Sequence, residues 1–286
     1  MLDELNSLSE HGVFELCELL PGHKPVAGKW VLKIKRGAQG EIEQFKARYV
    51  AKGLSQVNGV DLLETWAPIG RSATLCMLLS ICAVKDLETK DKEIKCALLN
   101  GVLEEEANMV QPPMFDDRSG RFWSLKKAPY GLKQAAREWH RALAKLLSDL
   151  GFGRCVSDPA IYVSKVGRCF IFLWVDDLLI FSAKDQLQPL DGKKILTTSE
   201  GRDLEEMSYV LGMEVILYGS KRTITATHRK MRTDLLSHFN MSDCKCTQTP
   251  LAPKEMIMTL SNAHGWECQG ALVGCPACYE IPAEYD

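Results

Sequence analysis

The chain has 286 residues, 46% hydrophobic and 25% charged, which is enough apolar sequence for one large domain or two smaller ones with real cores. No stretch approaches 18 uninterrupted apolar residues, and the opening "MLDELNSLSEHG" is acidic and amphipathic, so neither secretion nor a membrane span is expected. A net charge of −2 argues against a uniformly basic nucleic-acid binder, and eleven cysteines, an odd number scattered through contexts such as "TLCMLLSICAV", suit reduced thiols in an intracellular setting.

In chain order, "KWVLKIKR" (Lys29 to Arg36) alternates like a half-buried strand, "GAQGE" reads as a turn and "QFKARYVAKG" as a returning strand, together a basic hairpin. "SATLCMLLSICAVKD" predicts a helix with Ser72 as N-cap and Leu75, Leu78, Leu79, Cys82 and Ala83 at helical spacing. "EIKCALLNG" reads as a short apolar strand closed by Asn-Gly. The clearest helix is "LKQAAREWHRALAKLLSDLGF", with Leu132, Ala136, Trp139, Leu143, Leu146 and Leu150 as its apolar stripe and Gly151 as its stop. "CFIFLWVDDLLIFSAKD" (Cys169 to Asp185) predicts a β-hairpin with Asp176 and Asp177 at the tip; "MSYVLGMEVILYGSKRTITATH" predicts a strand pair, and "RTDLLSHFNM" a short helix.

Charge is segregated along the chain. Lys24 to Lys52 carries eight Lys/Arg against two Glu, and Arg121 to Lys145 seven against one, while Val57 to Gly120 holds eleven acids and six bases. Two basic blocks flanking an acidic centre suit a phosphate-lined groove around a metal site, although solvated helix and loop faces give the same pattern. The two adjacent aspartates sharpen the question, because ionised carboxylates between apolar strands need a partner. At a tight turn both can project into one space, and two like charges held close call for a cation such as Mg²⁺, which takes carboxylate, water and phosphate oxygens.

Six blocks, "FKARYVAKGLSQVNGVDLLETWAPIGR", "CALLNGVLEEEANMVQPP", "LKKAPYGLKQAAREWH", "LWVDDLLIFS", "YVLGMEV" and "HFNMSDCKCTQTPL", resemble, in sequence, order and spacing, the reverse transcriptase domain of copia-type retrotransposon polyproteins. The resemblance implies an α+β right-hand polymerase fold: fingers and palm, with an antiparallel palm sheet carrying the WVDD hairpin and packed by helices. It spans residues 1–250, fingers, palm and the start of a connecting region, and leaves 251–286 as a degenerate tail without the family's ribonuclease H domain. The implied activity is RNA- or DNA-templated DNA synthesis with two Mg²⁺ ions, Mn²⁺ as a substitute, and a primed template and deoxynucleoside triphosphates as partners, without a membrane.

Carried over by position, "WVDD" matches "YVDD" and places Asp176 and Asp177 as catalytic metal ligands. "EIKCALLNG" matches "DVKTAFLNG" and puts Glu93 where the family has its third aspartate; Asp91, two residues upstream, is the alternative. "PYGLKQAAREW" implies that Tyr130, Gly131, Lys133 and Gln134 lie near the incoming nucleotide and template. The basic hairpin, with Lys46, Arg48 and Lys52, resembles the segment that meets the triphosphate, and "LGMEV" lies where the family places its primer-gripping strands.

Several positions depart from the family pattern. Glu93 is one methylene longer than Asp; Leu98 replaces the Phe associated with rejecting ribose; Trp174 replaces Tyr; Ala136 replaces a Pro. These changes keep open a second reading, an inactive transposon remnant that at most binds nucleic acid.

Other constellations carry less. Cys275 and Cys278 with Cys268 and His264 fit no common zinc spacing, "DGKK" at Asp191 lacks phosphate-loop glycines, Met207, Met213, Met231 and Met241 are expected in the core, and Glu104, Glu105 and Glu106 in a solvated loop.

Overall fold

The computed structural model describes residues 1–245 except 20, 37–40, 60, 95, 184–200, 204–206 and 219–221. The expected boundary at residue 250, the cysteine cluster near the C-terminus and "DGKK" lie outside the described residues. The chain divides into two compact units, Met1–Cys82 with Leu87–Glu206, and Ala83–Asp86 with Met207–Asp286.

The first unit is built around a six-stranded antiparallel sheet. Its strands are β4 (Glu88–Ile94), β7 (Phe152–Arg154), β8 (Ile161–Ser164), β9 (Cys169–Trp174), β10 (Asp177–Ser182) and β11 (Gly201–Asp203), in the order β11-β4-β10-β9-β8-β7. Ile94, Leu178, Ile180, Ile171 and Leu173 alternate onto one face, where Trp139, Leu143 and Leu147 of helix α3 (Ala135–Asp149) cover them. A second core joins α1 (Leu2–Glu10), the sheet β1-β6-β5 (Phe14–Cys17, Phe122–Lys127, Val102–Met109) and the base of the hairpin β2 (Gly28–Arg36) and β3 (Ile42–Ala51). Trp123 is central to it, stacked on Phe14 at 3.8 Å and edge-on to Tyr49 at 5.5 Å.

The β2–β3 ribbon is amphipathic in a way its alternation dictates. Trp30, Leu32 and Ile34 pair with Tyr49, Ala47 and Phe45 on one face; Val31, Lys33 and Lys35 pair with Arg48, Lys46 and Gln44 on the other. Lys33 and Lys46 are thus directly opposed like charges, an arrangement that costs stability unless an anion meets it.

Helix α2 (Ser72–Lys85) buries Leu75, Leu78, Leu79 and Cys82 as its spacing predicts, but Ser72 is its first residue rather than its cap. The acceptor comes from a distance: buried Asp158 takes hydrogen bonds from the Arg71 amide (3.3 Å) and the Thr74 hydroxyl (2.7 Å).

Several further expectations need correction. "EIKCALLNG" is not one strand: β4 stops at Ile94, Cys96 turns left-handed at φ 52°, and Ala97–Asn100 forms a 3₁₀ turn burying Ala97 and Leu99. The ladder ends there because Ile94 N–H bonds the Asp176 carbonyl (2.9 Å), the last acceptor of its partner. Glu104 to Glu106 lie in strand β5, where Glu104 binds Arg141 at 2.8 Å. The buried set of α3 is Ala135, Glu138, Trp139, His140, Leu143 and Leu147, while Ala136 is exposed and Leu132 precedes the helix. Another lies in the second unit, where the expected strand pair is a three-stranded sheet, β12 (Tyr209–Val210), β13 (Met213–Tyr218) and β14 (Thr223–Thr227), followed by α4 (Arg229–His238). Met207 is buried, Met213 and Met241 half-buried, but Met231 is exposed on α4.

The α3 stripe is displaced because polar partners let the helix bury a second side. Glu138, 3% exposed, accepts from Arg137 (2.6 Å) and Arg141 (3.3 Å), which reach on to Glu64 (3.1 Å) and Glu104 (2.8 Å). Glu138→Ala would leave a cavity and remove the buried carboxylate that joins Arg137 and Arg141, which keep only Glu64 and Glu104. It is expected to cost about 3 kcal/mol, seen as a melting temperature lower by roughly 6–12 °C.

Candidate active site

The turn between β9 and β10 consists of Val175 and Asp176, and Asp177 is the first residue of β10, paired with Trp174. Val175 has φ 55°, a costly conformation for a β-branched residue, and two contacts hold it there. The Trp139 indole N–H of α3 donates to the Val175 carbonyl at 2.9 Å, and the Ile94 amide donates to the Asp176 carbonyl. A helix and a neighbouring strand therefore fix the turn from two sides.

Register then assembles the acids. Asp177 sits directly opposite Glu93 of β4, and Asp91, two residues earlier on β4, shares that face opposite Leu179. Burial first, and the Glu93 carboxylate next, push Asp177 above the ordinary carboxylate range, with Asp176 adding to it. Asp176 is pushed up by burial and Glu93, with Arg48 and Lys46 opposing. Asp91 is pushed up to about 6 by burial, Asp177 and Glu93. One oxygen each of Asp91 and Asp176 is buried without a hydrogen-bond partner.

Acids raised in this way favour a bound cation. Their chemistry fits a hard divalent cation that takes one or two carboxylates from the protein and the rest of its oxygens from water and phosphate. Among the described residues, no three His, Cys, Asp or Glu side chains converge closely enough to hold a metal by themselves.

The hairpin supplies cations beside these acids. Lys46 is pulled below the ordinary lysine range by burial, Arg48 and Lys35, while Cys96 and Glu93 act the other way. The Arg48 guanidinium lies 4.4 Å from the centre of the Tyr130 ring. Lys46, Arg48, Tyr130, Glu93, Asp176 and Asp177 are therefore one electrostatic neighbourhood.

The other sequence candidates make contacts of their own within the fold. Leu98 packs against both cores. Gly131, at φ 93°, leaves no room for a Cβ against the Ala51 carbonyl, and the Tyr130 carbonyl accepts from the Ala51 amide at 2.8 Å. Gln134 is fully buried: its Oε1 accepts from Gln56 Nε2 at 3.0 Å, and its amide nitrogen donates to the Asp61 carbonyl at 3.4 Å. Lys133 donates from Nζ to the Gln56 carbonyl and from its backbone to Gln56 Oε1, both at 2.9 Å. Lys52 is exposed at the hairpin base.

Gln56, Asp158 and Trp139 do not stand out as site residues in the sequence, because their roles are long-range hydrogen bonds that periodicity does not encode. Most of the second basic block is neutralised: Arg121 pairs with Asp117, Lys126 with Glu15, and Arg137 and Arg141 with acids of their own.

The raised carboxylates make the metal-free fold pH-sensitive. A carboxyl whose folded pKa lies above its unfolded one stabilises the fold below the unfolded value, and that contribution disappears as pH rises through the folded value. For Asp91 the window runs from about 4 to about 6. In EDTA, Asp91→Asn should therefore match the parent near pH 4 and be more stable by about 1–3 kcal/mol at pH 7, with Mg²⁺ narrowing the gap. Melting curves across that range check it.

The family model described as reverse transcriptase (RNA-dependent DNA polymerase) matches residues 11–253. The chain is 32% identical over 258 residues, 88% of its length, to the retrovirus-related Pol polyprotein of the tobacco transposon TNT 1-94. It is 32% identical over 269 residues, 91% of its length, to that of the Arabidopsis thaliana transposon RE1. A yeast relative, the transposon Ty1-ER2 Gag-Pol polyprotein, is 28% identical over 187 residues, 59% of the chain and 10% of the relative. The chain spans 19% and 18% of the two plant polyproteins. No helix among the described residues is long and apolar enough to cross a membrane.

Proposed function

The chain belongs to the reverse transcriptase (RNA-dependent DNA polymerase) family of copia-type retrotransposon Pol polyproteins, and from that premise we propose that it is the fingers and palm of a template-directed DNA polymerase. The observation that carries this reading is the strand register that sets Glu93 opposite Asp177, next to Asp176 of the fixed hairpin turn, with Lys46 and Arg48 of the basic ribbon acting on the same acids. Asp176, Asp177 and Glu93 would hold Mg²⁺, which when bound stabilises the charge on the attacking and leaving oxygens of nucleotidyl transfer. Lys46 and Arg48 neutralise the triphosphate of the incoming deoxynucleotide. Leu98 abuts the nucleotide sugar. Gln56, Lys133 and Gln134 hold the hairpin base against the start of α3, which sets the distance between cations and acids. Template and primer lie along the basic face of the ribbon.

A binding-only remnant is the second reading, favoured by Glu93 at the third acidic position and by the lack of a preformed three-residue metal cage among the described residues. Primer extension on a primed RNA or DNA template with Mg²⁺ and Mn²⁺ separates the two. Extension supports the polymerase, duplex binding without extension supports the remnant, and no duplex binding at low salt removes both.

A further inference from the structure

Tyr130 lies between the two halves of the site, and its ring has a specific neighbour. The guanidinium carbon of Arg48 is 4.4 Å from the ring centre, within the range of a cation–π contact. Both residues are half-buried, which strengthens that contact by excluding water. Burial raises the Tyr130 phenol well above its ordinary range, so it stays neutral with its face available to a cation.

The backbone that carries the ring is fixed. The Tyr130 carbonyl is tied to the Ala51 amide in the strand that carries Arg48, and Gly131 beyond it is jammed against the Ala51 carbonyl. Arg48 acts on Asp176 while sharing its strand face with Lys46, opposite Lys33. An arginine free to swing could collapse onto the acids. Seated on the ring, its planar fork stays spread for phosphate oxygens.

We propose that Tyr130 is a positioning residue whose ring face seats Arg48, so that Arg48 and Lys46 form a preorganised clamp for an oligophosphate. The proposal rests on the polymerase reading for its physiological ligand, a nucleoside triphosphate, but the clamp is a property of the chain that can be measured without polymerisation.

The probe is inorganic triphosphate, titrated calorimetrically into the full chain at low salt without divalent metal. Tyr130→Leu is expected to weaken binding about 3- to 30-fold, the equivalent of a half-buried cation–π contact. Tyr130→Phe, which keeps the ring, restores most of the parent's affinity. Arg48→Ala weakens binding as well, and adding Tyr130→Leu to it produces no further loss, because the ring acts only through the guanidinium. Melting temperatures accompany every variant, and Tyr130→Met replaces Tyr130→Leu if the latter does not fold.

Additive losses in the double variant, parent-like affinity in Tyr130→Leu, or no triphosphate binding by the parent would overturn the proposal. A chain that shows the expected coupling yet never extends a primer keeps the clamp and loses the polymerase reading.

Discussion

Asp176→Asn is expected to abolish primer extension, by at least about 10²–10³-fold, while raising the melting temperature of the metal-free chain. Both effects have one cause. Asp176 has a buried oxygen without a hydrogen-bond partner and stands beside Glu93 and Asp177, so without a bound metal its charge destabilises the fold even with Arg48 and Lys46 opposing. The amide removes that charge at nearly constant volume, and the turn survives because its backbone is held by Trp139 and Ile94 rather than by this side chain. A structural carboxylate would behave oppositely, since its removal would lower the melting temperature. Thermal scans in EDTA and in Mg²⁺, alongside primer extension, read both halves: the variant should gain stability in EDTA and lose most of that advantage in Mg²⁺.

Glu93→Asp is expected to raise kcat by up to about 100-fold, with little change in nucleotide affinity. Glu93 pairs directly with Asp177 across the ladder, so its backbone is correctly placed and only the length of its arm is at issue. Displacing a metal by about 1 Å costs on the order of 100-fold in rate, and an interaction recovered in the transition state appears in kcat. Mn²⁺, with less exacting coordination, should help the parent more than the Asp variant. Asp176→Ala in the Glu93→Asp background should erase the gain. If Glu93→Asp is no faster than the parent, the third ligand is not Glu93, and Asp91 is the next to substitute because it shares the same strand face.

What could be read from the sequence follows the range of the interactions involved. The β2–β3 ribbon, α2, α3 and the β9–β10 hairpin are legible because each is a local pattern of period 2 or 3.6 bounded by turn or cap residues. The rest of the acidic site is legible only as far as strand parity reaches. Parity puts Asp91 and Glu93 on one face, but nothing local announces that Asp177 pairs with Glu93. The break in "EIKCALLNG" is invisible for the same reason, since the strand ends where its partner's turn runs out of acceptors. Charge counting misleads at α3, because the acids that neutralise Arg137 and Arg141 include Glu64 and Glu104, far away in sequence. Gln134 is the instructive case. Its place in a motif points to the nucleotide, whereas its burial and its bond to Gln56 give it a part in fixing the hairpin base.

Whether the turn acids and their strand neighbour form a divalent-metal site is read by Mn²⁺ titration followed by electron paramagnetic resonance. The titration uses the chain with primed template and a non-hydrolysable deoxynucleotide. Mn²⁺ is expected to bind the parent, to be displaced by Mg²⁺, and to be lost in Asp176→Asn/Asp177→Asn. A double variant that binds as much Mn²⁺ as the parent contradicts the site assignment.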